Sequence, residues 1–418
     1  MPIMIKFPRN FLWGAATSSY QVEGGNNNCD WWQWEQEAKL KDVSANACRH
    51  YELYNQDFDL AKSLNHNAHR LSIEWSRIEP SEGQFSSVEI KHYKDVIAAL
   101  RERNIEPVVT LHHFTNPLWF AGLGGWLNKK SSFYFSRYAR NIVEALGDSV
   151  RYWVTINEPS VYIYYSYILG AWPPQQKSIL KAICVQENMA LSHIKAYSLI
   201  HDIHKNKGFS PPSVSVAMNM QAFTSCRKTL RNRLAVYLRD KIYNRSFLER
   251  LMRHNALDFI GLNYYSRTVV NVKGWGISNL LYDTCEENHD SLKRNDMGWD
   301  IYPQGLSQLL LSLKKYNLPI FITENGICTG NDELRWEFIR KHLESAAYSI
   351  DNGVNVIGYL YWSLIDNFEW DKGFRPRFGL IEVDYNTYNR TARKSAEKLA
   401  VVCKTGMLET ESSTITLN

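Results

Sequence analysis

"RYWVTINEPS", residues 151–160, decides the fold. Trp153, Val154 and Ile156 make a short apolar run, the mark of a buried strand. The run ends in Asn157 and Glu158, and Pro159 stops it. The same form recurs along the chain. "FLWGAAT" from residue 11, "AHRLSIEW" from 68, "IEPVVTLHH" from 105 and "SVSVAMNM" from 213 read as strands. So do "ALDFIGLNYY" from 256, "PIFITEN" from 319 and "VIGYLYWS" from 356. Amphipathic stretches lie between them. In "EIKHYKDVIAALRERN", Ile90, Tyr93, Ile97 and Leu100 fall at helical spacing with charges opposite. Eight strand–helix units with no shift in composition predict a single (β/α)8 TIM barrel over residues 1–418. A doubly wound sheet would normally bring a phosphate loop or a dinucleotide fingerprint, and neither motif occurs.

The composition fits a globular catalyst or binder. Of 418 residues, 22% are charged and 44% apolar. The net charge of +5 comes with no block of like charges, which argues against a nucleic-acid partner. Arg227, Lys228, Arg231 and Arg233 read as a solvated helix face. Seven dispersed cysteines without a CxxC pair predict free thiols in a reducing compartment. "MPIMIKFPRNF" has no apolar core of a signal peptide, so a cytoplasmic location is expected. No run approaches the ~18 apolar residues of a membrane span, so no membrane partner is expected. The 14 tryptophans and 24 tyrosines suit either a large core or flat platforms in a cleft. No oligomeric state is assigned.

A barrel places its chemistry at the C-terminal ends of its strands. Those ends carry Gln21 beyond strand 1, Arg70 on strand 2, His113 on strand 3, and Asn157 and Glu158 on strand 4. Asn263, Tyr264 and Tyr265 end strand 6, and Glu324 ends strand 7. Trp362 lies on strand 8, with Glu369 and Trp370 in the loop beyond. A lone glutamate at a strand end is most simply a helix cap or half of a salt bridge. Two of them, Glu158 and Glu324, among hydrogen-bonding groups and tryptophans suit glycosidic bond cleavage. One carboxylic acid protonates the leaving oxygen, and the other, ionised, attacks the anomeric carbon or activates water. These roles need different pKa values, and the fixed cation Arg70 is suited to keep one glutamate ionised. His112 and His113 are adjacent on a strand and face opposite ways. His201 and His204 sit at i, i+3 without a carboxylate or third ligand in the pattern. No metal site is expected, and no cofactor, since two carboxylates supply the chemistry.

"FLWGAATSSYQVEG", "HRLSIEWSRIEP", "TINEP", "DFIGLNYYS", "ITENG" and "YLYWSLIDNFEW" resemble, in order, the signature segments of glycoside hydrolase family 1, the β-glucosidase and β-glycosidase family. The likeness runs from residue 7 to about 385, and TINEP with ITENG, about 165 residues apart, is its specific part. The resemblance implies a (β/α)8 barrel and retaining chemistry, with Glu158 as acid/base and Glu324 as nucleophile. It implies that Asn157 holds the sugar 2-hydroxyl, and that Arg70, Tyr265 and Asn263 support the nucleophile and transition state. Gln21, His113, Glu369, Trp370 and Phe378 would bind the sugar, with Trp362 as its platform. Glu369 stands where the family's 6-phosphoglycosidases generally lack a carboxylate, which implies neutral β-glucosides, with β-galactosides or β-fucosides beside them. The chain also departs from the family. It is short, the loop "ILGAWPPQQKS" after strand 4 and the region between strands 5 and 6 are altered, and Phe114 stands where many relatives carry tryptophan. Two other activities fit the same residues: a transglycosylase, and a sugar-binding member without turnover.

Overall fold

The structure is a computed structural model that describes residues 3–38, 40–285 and 292–410. The two ends of the expected 1–418 domain lie outside the described residues. Eight parallel strands close into a barrel: β1 Leu12–Ala16, β2 Ala68–Ser72, β3 Glu106–His112, β4 Tyr152–Asn157, β5 Ser213–Asn219, β6 Ile260–Tyr264, β7 Ile320–Asn325 and β8 Val356–Trp362. Each strand pairs with its neighbour in sequence, and β8 returns to β1 through Gly358–Trp362 against Leu12–Ala16. All eight strands expected from the sequence are present. The main outer helices are α1 His50–Ser63, α2 Ser87–Glu102, α3 Ser131–Leu146, α4 Ile179–Lys207, α5 Ser246–Arg253, α6 Pro303–Leu313, α7 Asp332–Asp351 and α8 Lys394–Thr405.

Local sequence accounts for these elements. In α3, Tyr134, Phe135, Tyr138, Ile142, Val143 and Leu146 form one buried stripe at helical spacing. The Ser86 side chain accepts from the Glu89 amide at the start of α2, and Asn331 does the same for Glu333 and Leu334 at the start of α7. The strands are buried on both faces and so read as continuous apolar runs. Their inward residues Ala68, Val108, Val154, Ala217, Phe259, Phe321 and Leu360 fill the lower barrel. With the interior sealed there, the opposite end of the strands is left for polar groups.

The aromatic excess serves both uses that the composition allowed. Trp31, Trp75, Trp126 and Trp153 are fully buried in the layer between strands and helices. Trp172, Trp299, Trp362 and Trp370 line a cavity at the C-terminal mouth. Among the described residues no helix is long and apolar enough to cross a membrane. Among the described residues Cys29, Cys48, Cys184, Cys328 and Cys403 carry thiols without a disulfide partner. Cys226 and Cys285 approach each other to 2.6 Å between Sγ atoms. Fifty-nine residues separate that pair, so no local motif announced it.

Candidate active site

The cavity at the strand ends holds about 500 Å³. Ten of the site residues expected from the sequence line it: Gln21, His113, Asn157, Glu158, Tyr265, Glu324, Trp362, Glu369, Trp370 and Phe378. Arg70 and Asn263 stand behind that lining, fully buried, and contact its carboxylates. The barrel register brings them together. Asn263 is paired with Glu324 on one side and with Asn219 on the other, and Ala16 with Arg70. Gly326, two residues after Glu324, admits no side chain, because a Cβ there would stand 1.9 Å from the Trp362 carbonyl oxygen.

Glu324 is held at both oxygens. Arg70 donates from Nη1 to Oε1, and the Tyr265 hydroxyl donates to Oε2 at 2.5 Å. Arg70 is fixed in turn, with Nε on Thr110 Oγ1 at 3.0 Å and Nη2 on Asn157 Oδ1 at 2.7 Å. The Glu324 carboxyl lies above the ordinary glutamate value: burial pushes it up, and Arg70 and Tyr265 offset part of that by favouring the charged form.

Among the described residues Glu158 has no cation in contact. It is buried, and Asn263 Nδ2 donates to Oε1 at 2.7 Å and Asn219 Nδ2 at 3.2 Å. Desolvation, and then repulsion from Glu324, raise its pKa to about 8. Glu158 also takes a left-handed backbone conformation, φ 43° and ψ 58°, between β4 and the helix that starts at Pro159. That region is costly for a side chain with a Cβ, and the turn sets the carboxyl at the mouth instead of along the strand. Two glutamates at equivalent strand ends therefore stand in unlike electrostatic settings.

The remaining wall is polar on one side and aromatic on the other. Gln21 Nε2 donates to Glu369 Oε2 at 3.2 Å and to the Phe368 carbonyl at 2.9 Å. Ser18 Oγ holds Gln21 Oε1 at 2.7 Å. Burial, followed by the charges of Glu324 and Glu158, raises Glu369 to about 8. Asn157 Oδ1 is taken by Arg70 and Asn263, so its Nδ2 faces His113 Nε2 at 3.1 Å. The proton of that imidazole then resides on Nδ1, which is buried and has no hydrogen-bond partner among the described residues. Burial, with the Arg70 charge second, keeps His113 neutral. The His113 ring stacks between Trp362 and Trp370, 6.0 Å from each.

Sequence reasoning missed Asn219 and Tyr243. Asn219 ends β5, the one strand for which no polar end was named, and the Tyr243 hydroxyl donates to its Oδ1 at 3.1 Å. The strand-end rule itself would have found Asn219. Tyr243 carried no signal, because it comes from an irregular helical turn, Asp240–Arg245. The outer part of the mouth also takes Tyr165, Trp172, Met220, Met297 and Trp299. Trp172 belongs to the altered loop after strand 4, and Phe114 packs 5.4 Å from it. His201 does meet a carboxylate that its local pattern lacked, Asp258 at 2.8 Å, while His204 Nδ1 bonds the Ser210 carbonyl. Among the described residues no group of three or more His, Cys, Asp or Glu side chains is placed to hold a metal ion.

Comparison with known proteins agrees with the fold. The sequence model of Glycosyl hydrolase family 1 matches residues 3–255 and 244–407. A 1,4-beta-D-glucan glucohydrolase of Thermotoga neapolitana is 31% identical over 94% of this chain and 97% of its own length. The beta-glycosidase from Pyrococcus horikoshii superposes with a TM-score of 0.91 at 38% identity, over 99% of this chain and 97% of that one. The beta-glucosidase from Thermotoga maritima in complex with glucoimidazole superposes with a TM-score of 0.88 at 28% identity, over 96% and 99% of the two chains.

Proposed function

This chain belongs to glycosyl hydrolase family 1, and from that premise we propose that it is a retaining β-glycosidase of the β-glucosidase type. Its substrates are neutral β-glucosides, with β-galactosides or β-fucosides beside them, and residues 1–418 act as one catalytic domain. The relatives' names support the β-glycoside class. The unlike settings of the two glutamates carry the division of labour.

Glu324 is the nucleophile. Arg70 and Tyr265 orient it and favour its charged form, and its attack on the anomeric carbon forms a glycosyl-enzyme ester. Glu158 is the acid. With a pKa of about 8 it carries a proton at neutral pH and gives it to the leaving oxygen. Esterification of Glu324 removes the negative charge that helped hold that proton. Glu158 then becomes more acidic and serves as base for the incoming water. Asn157 takes the 2-hydroxyl. Gln21, Glu369 and the unpaired His113 Nδ1 bind ring hydroxyls, Trp362 supports the sugar face, and Trp370 and Phe378 close the pocket. An acceptor sugar in place of water would give transglycosylation by the same residues.

The test is Glu324→Ala with 4-nitrophenyl β-glucoside. Turnover should vanish and return with azide, which attacks the anomeric carbon from the vacated α face, displaces the nitrophenol and gives an α-glycosyl azide, inverted relative to the β-glucoside. An active variant that ignores azide would remove Glu324 from the nucleophile's role. A panel of nitrophenyl β-glucoside, β-galactoside, β-fucoside and 6-phospho-β-glucoside then ranks the sugars. Turnover confined to the phosphorylated substrate would sink the neutral-sugar reading.

A further inference from the structure

Outside the pocket, one face breaks the usual rule for a surface helix. The helix Leu230–Arg239 buries Asn232, Ala235 and Arg239, while Leu230, Leu234 and Tyr237, at i, i+4 and i+7, point outward. Leu230 is 82% exposed. Beside the helix, the turn after Lys273 presents Trp275 at 89% and Ile277 at 77% exposure. The two parts form one surface. The Arg231 guanidinium lies 4.0 Å over the Trp275 ring, and the Arg239 Nε caps the Leu280 carbonyl at 2.8 Å. A contiguous apolar face of this kind on a soluble domain marks a contact surface.

Charge narrows the partner. Arg227, Lys228, Arg233 and Lys241 are exposed around the apolar ridge, and Lys273 stands at the foot of the turn. Asp240, the one acid within residues 227–245, is bound to Arg245, and Asp283, at the end of the turn, accepts from the Lys273 and Asn279 nitrogens. An outward Trp, Ile and Leu ridge bordered along its helix by Lys and Arg matches a helix that lies in the interface of an anionic bilayer. A second copy of the chain fits less well, because a twofold contact would set these cations against their own equivalents.

We propose that this face docks the enzyme peripherally on an anionic lipid surface. The sheet that carries the helix places the contact at the mouth of the pocket. Its strands Ala222–Ser225 and Arg267–Val270 pair with each other, and Thr268 and Val269 line the cavity. Tyr282, at the far end of the ridge, stacks 6.4 Å from Tyr164, the neighbour of the lining residue Tyr165. No lipid-spanning segment is required.

The experiment is co-sedimentation of the full chain with phosphatidylcholine vesicles, with and without phosphatidylglycerol. The protein should sediment with the phosphatidylglycerol vesicles at low salt and be released at high salt. The double variant Trp275→Ser/Ile277→Ser should weaken that binding by about tenfold or more. Lys228→Gln/Lys241→Gln should do so to a similar degree, about tenfold. Matching melting curves show that the variants are folded, and the lysine pair remains decisive if the apolar pair is not. Absence of sedimentation with the anionic vesicles would overturn the proposal, as would binding that neither variant changes. A dimer in sedimentation equilibrium that Trp275→Ser/Ile277→Ser dissociates would assign the face to a second copy instead. The readout needs no turnover, so it stands or falls separately from the assignment of the glutamates.

Discussion

At the scale of single residues, the site turns on what Glu158 lacks. Glu324 has a guanidinium and a phenol, whereas Glu158 has two amides and a negative neighbour. Its raised pKa has two consequences. For activity, the acid must be protonated, so kcat/KM should fall as pH rises through about 8, the value set by burial and Glu324. A rate that stays flat well beyond that pH would remove Glu158 from the acid's role. For stability, the folded state holds a proton that the unfolded chain gives up near an ordinary glutamate pKa. The folded protein therefore loses stability as pH rises from that value to about 8, and no further above it. Glu158→Gln, which cannot ionise, should melt higher than the parent at pH 9 and nearly level with it at pH 4. The same variant should cost about 10²–10⁴ in rate on poor leaving groups and much less on activated ones. A melting difference independent of pH would show that the gain came from elsewhere. Glu324 and Glu158 were legible in the sequence because each ends an apolar run. From the residues alone their difference was legible only as a requirement, and the family resemblance assigned the roles, since the Arg70–Glu324 contact joins residues 254 apart.

At the scale of elements, strand ends carry the site, and β5 belongs to it as fully as β4 and β7. Asn219 donates to the ionised form of Glu158, and Tyr243 orients Asn219. Removing a donor to the charged form raises a carboxyl's pKa. Asn219→Ala should therefore move the alkaline limb of kcat/KM upward, by up to about one unit given the strength of such bonds. Tyr243→Phe should move it less and in the same direction. A downward move in either would mean that the amide serves the acid form instead. Hydrophobic periodicity found all eight strands, because burial on both faces leaves an unbroken apolar run. It did not find the rim. Asn219 was overlooked within a strand correctly placed, whereas Tyr243 lies on an irregular turn with no period to read. The outward apolar side of Leu230–Arg239 was hidden for a related reason. The basic residues 227, 228, 231 and 233 read as a solvated face, and only the fold reveals which way Leu230 and Leu234 beside them point.

For the whole molecule, the fold must bring the chain's last third back against its first. The Ile3–Lys6 strand pairs with Met407–Thr410, and β8 closes on β1. A buried ionic knot joins the same two regions. Asp57 on α1 binds Arg390 Nε at 2.8 Å and His50 Nδ1 at 2.7 Å, and Arg390 Nη2 also donates to the Cys48 carbonyl at 2.6 Å. Neither the Asp57 nor the Arg390 side chain has any exposed area. Burial pushes the Asp57 carboxyl up, but His50 and Arg390 outweigh it and hold the pKa below the ordinary aspartate value. Removing the carboxylate strands a buried guanidinium, at a cost of about 3–5 kcal/mol. Asp57→Ala should therefore melt several degrees below the parent at neutral pH. A group with a lowered pKa adds stability above its unfolded value and loses it as pH falls through the folded one. The gap between parent and variant should thus be full at pH 7 and shrink in acid. Turnover per folded molecule should be unchanged, because Asp57 is not among the residues that line the cavity. A gap that is constant with pH would make the defect one of packing, and lost turnover in a folded variant would tie the knot to the site. Nothing in the sequence joined Asp57 to Arg390, because their 333-residue separation becomes a contact only when eight units have closed the ring.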